Sequence, residues 1–86
     1  MDPRYQDLAE RIRKAEFHTI RFSPGYNERE VDDFLDGIVR ILRDGARPNP
    51  DELRNVQFTT SRLRPGYLQR DVDRLLEEIA NAVAAL

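Results

Sequence analysis

The side chains that could do chemistry in this chain are few, and their spacing argues against catalysis. His18 is the sole histidine, and no acid lies beside it in the sequence. Asp32-Asp33 and Glu77-Glu78 pair carboxylates in sequence. Neighbouring residues on a helix point about 100° apart, so neither pair makes a metal or acid/base site by itself. Both read as solvated helix faces, and His18 reads as incidental. There is no glycine-rich phosphate loop and no nucleophile motif. Without cysteine there is no thiolate metal site and no disulfide framework. The reading is of a non-enzymatic chain with no catalytic, cofactor-binding or metal-ligating residues.

A different pattern does stand out. Arginine sits next to an apolar residue at two related places, Arg21-Phe22 and Arg62-Leu63-Arg64. Both lie in acid-free windows, one between Glu16 and Glu28 and the other between Glu52 and Asp71. Arginine beside exposed apolar groups is attracted to an anionic membrane surface. The plainer alternative is that Phe22 and Leu63 fold back to cap the core.

These places correspond because the sequence is duplicated. Residues 12–42 and 53–83 align without a gap at an offset of 41, with 12 identities in 31 positions. The identities include Arg21/Arg62, Pro24/Pro65, Gly25/Gly66, Tyr26/Tyr67, Val31/Val72, Asp32/Asp73, Leu35/Leu76 and Ile38/Ile79. Self-similarity of this kind fixes architecture first. The expected organisation is one domain over residues 1–86. It comprises an N-terminal helix over 3–14, repeat one over 12–42, a linker over 44–50 and repeat two over 53–83.

The elements that must position the arginine-apolar pairs follow from local signals. Asp2 is a good N-cap, and Pro3 suits the first helical position. Tyr5, Leu8, Ala9 and Ile12 then make one apolar stripe. Residues 16–23 and 57–64 lose that period and read as extended or irregular. Ser23-Pro24-Gly25-Tyr26 and Arg64-Pro65-Gly66-Tyr67 read as type II turns, in which glycine supplies positive φ at the third position. Asn27 with Glu30 makes a capping box for a helix from Glu28 to about Arg43, which Gly45 ends. Its stripe is Val31, Phe34, Leu35, Ile38, Ile41 and Leu42. Asn49-Pro50 starts a short helix. A last helix from about Gln69 carries Val72, Leu75, Leu76, Ile79, Val83 and Leu86. Leu68 stands where Asn27 caps the first copy, a loss of roughly 1 kcal/mol.

The spacing of the two stripes predicts an all-α domain with extended pre-helix segments. The main helices would pair in parallel as a coiled-coil-like pseudo-dimer, or exchange partners in a homodimer. Both turns would then emerge at one end. The chain has 86 residues and a net charge of −2, a balance that argues against nucleic acid. No apolar run is long enough to span a bilayer, and the charged N-terminus is no signal peptide. Absence of cysteine fits a reducing interior. Thirteen arginines against one lysine fit the codon bias of a GC-rich genome.

The stretches EFHTIRFSPGYNEREVDDFLDGIV and LRNVQFTTSRLRPGYLQRDVDRLLEEI each resemble the N-terminal domain of DivIVA, the polar and septal scaffold of Gram-positive bacteria. The shared pattern is a short helix ending near a Phe, a Thr/Arg segment, a Gly-Tyr turn and an amphipathic helix with a V-D-x-[FL]-L core. The two repeats together cover about three quarters of the chain, and the pattern is similar to a short actinobacterial form with tandem repeats. The resemblance implies a non-enzymatic scaffold or adaptor in cell division or polar organisation. It implies protein partners from the division or envelope machinery, and a cytoplasmic location at the inner face of the membrane, at septum or pole. It also implies a membrane or partner tip, here Arg21, Phe22, Arg62, Leu63 and Arg64. In the family the exposed aromatic-Arg pair immediately precedes Gly-Tyr, whereas Ser23-Pro24 and Arg64-Pro65 stand there in this chain. The long coiled coil that follows the domain in family members lies outside these 86 residues. The rival reading is a purely protein-binding regulatory adaptor without lipid affinity.

If the two stripes form a shared core, a buried unpaired charge there exceeds the stability margin of so small a domain. Leu35→Asp and Leu76→Asp are each expected to abolish the cooperative thermal transition seen by circular dichroism. Unchanged melts in both variants would show that the stripes are surface.

Overall fold

The computed structural model describes residues 2–86. It is a mixed α/β domain of four helices and one four-stranded antiparallel sheet. Helix α1 spans Pro3–Lys14, α2 Glu28–Arg43, α3 Pro50–Asn55 and α4 Gln69–Ala84. The strands are two residues each: β1 Thr19–Ile20, β2 Gly25–Tyr26, β3 Thr60–Ser61 and β4 Gly66–Tyr67.

The helix ends follow local chemistry. The Asp2 carboxylate accepts from the Arg4 N–H at 2.9 Å, Asn27 from the Glu30 N–H at 2.9 Å, and Asn49 from the Asp51 N–H at 2.9 Å. Leu68 provides no such bond to α4. Helix α2 closes with a Schellman motif. Gly45 has φ 81°, its N–H donates to the Leu42 carbonyl, and the Ala46 N–H donates to Ile41.

The sheet runs in the order β1-β4-β2-β3. Thr19 and Ile20 pair with Tyr67 and Gly66, while Thr60 and Ser61 pair with Tyr26 and Gly25. Tyr26 pairs with Tyr67 at the centre. Every partner is shifted by the repeat offset, so the sheet has an approximate twofold relation. The pre-loop strand of each copy pairs with the post-loop strand of the other, and neither copy can build the sheet alone.

This overturns the all-α, coiled-coil expectation. The sequence reading had the pre-helix segments as extended but unpaired. Strands of two residues carry no alternation that a pattern could detect, and their partners lie more than 30 residues away. The helix packing differs as well. Each main helix packs closely on the short helix of its own copy, α1 on α2 and α3 on α4. Helices α2 and α4 run in the same direction. Tyr67 reaches Asp32 at the start of α2, Tyr26 reaches Asp73 in α4, and Arg47, just past α2, donates to the Val83 and Ala84 carbonyls that end α4.

One apolar cluster joins all four helices. Val31, Leu35, Ile38 and Leu42 on α2, with Val72, Leu76, Ile79 and Val83 on α4, are at most 6% exposed. Phe34 and Leu75 lie at the margin, half-buried. Val39 and Ala80, which the stripe reading passed over, are buried too, because the short helices cover a second face of each main helix. Full burial of a Val, Leu or Ile side chain contributes about 1.5–3 kcal/mol, so this cluster is the main source of stability.

The type II turn assignment also fails. Neither Gly25 nor Gly66 has positive φ; among the described residues, Phe22 at 69° and Gly45 do. The glycines are needed for space. A Cβ on Gly25 would lie 2.9 Å from the Gly66 backbone, and one on Gly66 would lie 2.8 Å from Gly25 C and the Tyr26 carbonyl oxygen. Two backbones cross there with no room for a side chain.

Gly25→Ala and Gly66→Ala are therefore expected to cost about 1–3 kcal/mol each, the range for overpacking. Gly37 lies within α2, and a Cβ there meets nothing within 4 Å. Gly37→Ala is expected to stabilise by up to about 1 kcal/mol, through helix propensity. Thermal melts of the three variants check this, and equal melting temperatures would refute the crossing.

Candidate functional site

The crossing is built from reciprocal contacts. The Asn27 N–H donates to the Thr59 carbonyl at 2.9 Å, and the Leu68 N–H donates to the His18 carbonyl at 2.8 Å. The Tyr26 hydroxyl donates to Asp73 at 2.7 Å, and that of Tyr67 to Asp32 at 2.8 Å. The Phe17 and Tyr67 rings lie 4.9 Å apart, those of Tyr26 and Phe58 5.3 Å apart, and Phe34 meets Phe58 edge-on at 5.8 Å. Such tilted pairs add about 0.5–1.5 kcal/mol beyond burial. Each tyrosine thus inserts between the helices of the opposite copy.

The acids of the first helical turns close the arrangement. Glu30 accepts from the Thr59 N–H at 2.8 Å. Its counterpart Asp71 accepts from the His18 N–H at 2.9 Å and meets His18 Nδ1 at 2.7 Å. His18 is therefore not isolated, because folding brings it an acid 53 positions away. Asp32 is likewise no mere solvated residue. The second correction had a trace in the sequence, since Asp32/Asp73 and Tyr26/Tyr67 are identities of the repeat; the first had none, since His18 aligns with Thr59 and Asp71 with Glu30.

These bonds shift ionisation. The backbone N–H of His18, followed by its side chain, holds the Asp71 carboxyl below the usual carboxylate range. Burial, followed by the hydrogen bond to Asp73, pushes the Tyr26 hydroxyl up to about 12. Tyr67 also rises to about 12, through burial and then Asp32.

The crossing carries two loops at the end where α2 and α4 begin. Residues 21–24 join β1 to β2, and residues 62–65 join β3 to β4. Phe22 is 87% exposed and Leu63 is 96% exposed, the exposed large apolar side chains among the described residues. They do not fold back on the core. Arg21, Arg62 and Arg64 are exposed beside them, and among the described residues none makes an ion pair. Pro24 is half-buried and Pro65 exposed, while Gly25 and Gly66 are buried and Tyr26 and Tyr67 half-buried beneath the loops.

The loops are held differently. The Gln69 amide donates to the Pro24 carbonyl at 2.9 Å, and Phe22 sits in the left-handed region. Ser61 Oγ accepts from the Leu63 N–H at 3.0 Å; Ile20, its counterpart in the other copy, has no hydroxyl. A bulky residue at positive φ is a true outlier, and strain of this kind gathers at functional loops.

No group of three or more His, Cys, Asp or Glu is placed to hold a metal ion among the described residues. No described helix is long and apolar enough to cross a membrane. Comparison with protein-family models, curated proteins and solved structures gives no match.

The tyrosines set the alkaline limit of the fold. An unfolded tyrosine ionises near 10. Because the folded values are higher, their contribution is complete below about pH 10 and is lost as pH rises towards 12. Wild-type stability in urea melts is expected to fall between pH 10 and 11.5. The Tyr26→Phe/Tyr67→Phe double variant is expected to lose about 1 kcal/mol per hydrogen bond at pH 8 and then to vary less over the alkaline range. A parallel decline in both proteins would contradict this assignment.

Proposed function

We propose that this chain is a non-enzymatic scaffold or adaptor that attaches to an anionic membrane surface through loops 21–24 and 62–65. The observation that carries the reading is the exposure of Phe22 and Leu63 beside Arg21, Arg62 and Arg64, at one end of the molecule. The resemblance of both repeats to the DivIVA N-terminal domain supports it, and suggests a role in cell division or polar organisation at the cytoplasmic face of the membrane.

The energetics fit a reversible contact. Each arginine near an anionic surface contributes about 1 kcal/mol, falling off within a Debye length. Burying Phe22 and Leu63 adds about 1.5–3 kcal/mol apiece. Lost rigid-body freedom and loop ordering offset much of that sum. Single molecules then bind weakly, and clustering makes attachment firm. Glu30, Asp32, Asp71 and Asp73 are held in the crossing, and among the described residues no acid pairs with the loop arginines.

Co-sedimentation with vesicles tests the reading. Wild-type protein is expected to pellet with anionic vesicles, less so at high salt, and not with neutral ones. A folded Phe22→Ser/Leu63→Ser variant is expected to remain in solution. If the wild type pellets with neither vesicle, or the variant pellets equally well, the loops are not a membrane contact. The exposed surface then belongs to a purely protein-binding adaptor.

A further inference from the structure

The two copies differ in the groove beside each main helix. Between α1 and α2 lies a groove of about 530 Å³; its twin between α3 and α4 measures about 180 Å³. Ala15 lines the first where Val56 stands in the second. The floor of the larger groove is apolar, formed by Ile12, Leu35 and Val39, and three carboxylates border it: Glu16, Asp32 and Asp36. Glu16 has no acidic counterpart, since Gln57 holds that position. The one cation in the lining, Arg13, is bound to Glu10 at 2.9 Å. Among the described residues no cation pairs with Glu16 or Asp36. An apolar floor under unpaired carboxylates calls for an apolar side chain flanked by cations.

The chain itself carries such a segment. Arg62-Leu63-Arg64 presents one bare leucine between two unpaired arginines, and Ser61 Oγ already holds the Leu63 N–H. We infer that the loop 62–65 of one molecule docks in the α1–α2 groove of a second copy. Leu63 lies on the apolar floor, and Arg62 and Arg64 face Glu16, Asp32 and Asp36. The two surfaces are different patches of the chain, so the contact is heterologous and propagates head to tail. Loop 21–24 stays free in every molecule. The association needs no lipid, so it stands or falls separately from the membrane reading.

Sedimentation velocity without lipid, over rising protein concentration, tests it. Wild-type protein is expected to show a sedimentation coefficient that climbs with concentration at low salt and returns to the monomer value at high salt, where exposed charges are screened. Leu63→Ser removes the docking side chain, and Glu16→Gln/Asp36→Asn removes groove charge. All three positions are exposed, so both variants are expected to remain folded and to stay monomeric alone. Mixed in equal amounts they are expected to form a complex of one to one and no larger, because each retains the half the other lacks. A wild type that stays monomeric overturns the inference. So does assembly of Leu63→Ser alone, or a mixture that stays monomeric while the wild type assembles.

Discussion

The fold depends on one close approach. At Gly25 and Gly66 two backbones pass so near that a Cβ on either would fall within 3 Å of the other. Only glycine fits, and both copies supply it. From that crossing each chain segment passes to the opposite side, where β1 meets β4 and β3 meets β2. Tyr26 and Tyr67 follow directly and carry their rings into the helices of the other copy. If the backbones were held apart, the sheet, the aromatic pairs and the reciprocal acid bonds would all be lost together.

The crossing explains why the chain is duplicated. A single repeat has a main helix with one buried seam and a pre-loop strand with no partner. Each needs a second copy, and tandem linkage supplies it at high effective concentration. The linker is fitted to this task. The Schellman turn at Gly45 redirects the chain, Pro48 is buried, and Arg47 caps the final carbonyls of α4. Linkage also frees the copies to diverge. The longer α1 covers more of α2 than α3 covers of α4. Asn27 caps its helix where Leu68 does not, and Ala15 leaves open the groove that Val56 fills.

Charge is partitioned along the molecule. Glu30, Asp32, Asp71 and Asp73 at the helix starts are committed to the crossing, where they accept backbone and tyrosine donors. Beyond them the loops carry arginines and bare apolar groups and no acid. Farther back, Glu10 gathers Arg13, Lys14 and Arg43, and Arg11 meets Glu78 at 2.6 Å. These exposed pairs contribute little stability. The surface is thus basic and apolar at one end, with unpaired carboxylates on the flank of α1 and α2, a distribution suited to contacts at both places.

Much of this was legible in the sequence. The repeat offset located every corresponding position, the caps at Asp2, Asn27 and Asn49 marked helix starts, and the 3.6-residue period picked out Val31, Leu35, Ile38, Leu42 and their counterparts. The arginine-apolar loops were visible as acid-free windows. Those signals act over a few residues, within one turn or one helix face, so a linear reading can detect them. The tertiary structure decided the rest. Two-residue strands have no pattern of their own, and they exist because the other copy offers a partner. The glycines looked like turn residues, whereas their role is set by a backbone 41 positions away. His18 gained Asp71 only once the copies had crossed. Each of these is a property of two segments brought together, and spacing along one chain does not encode which segments will meet.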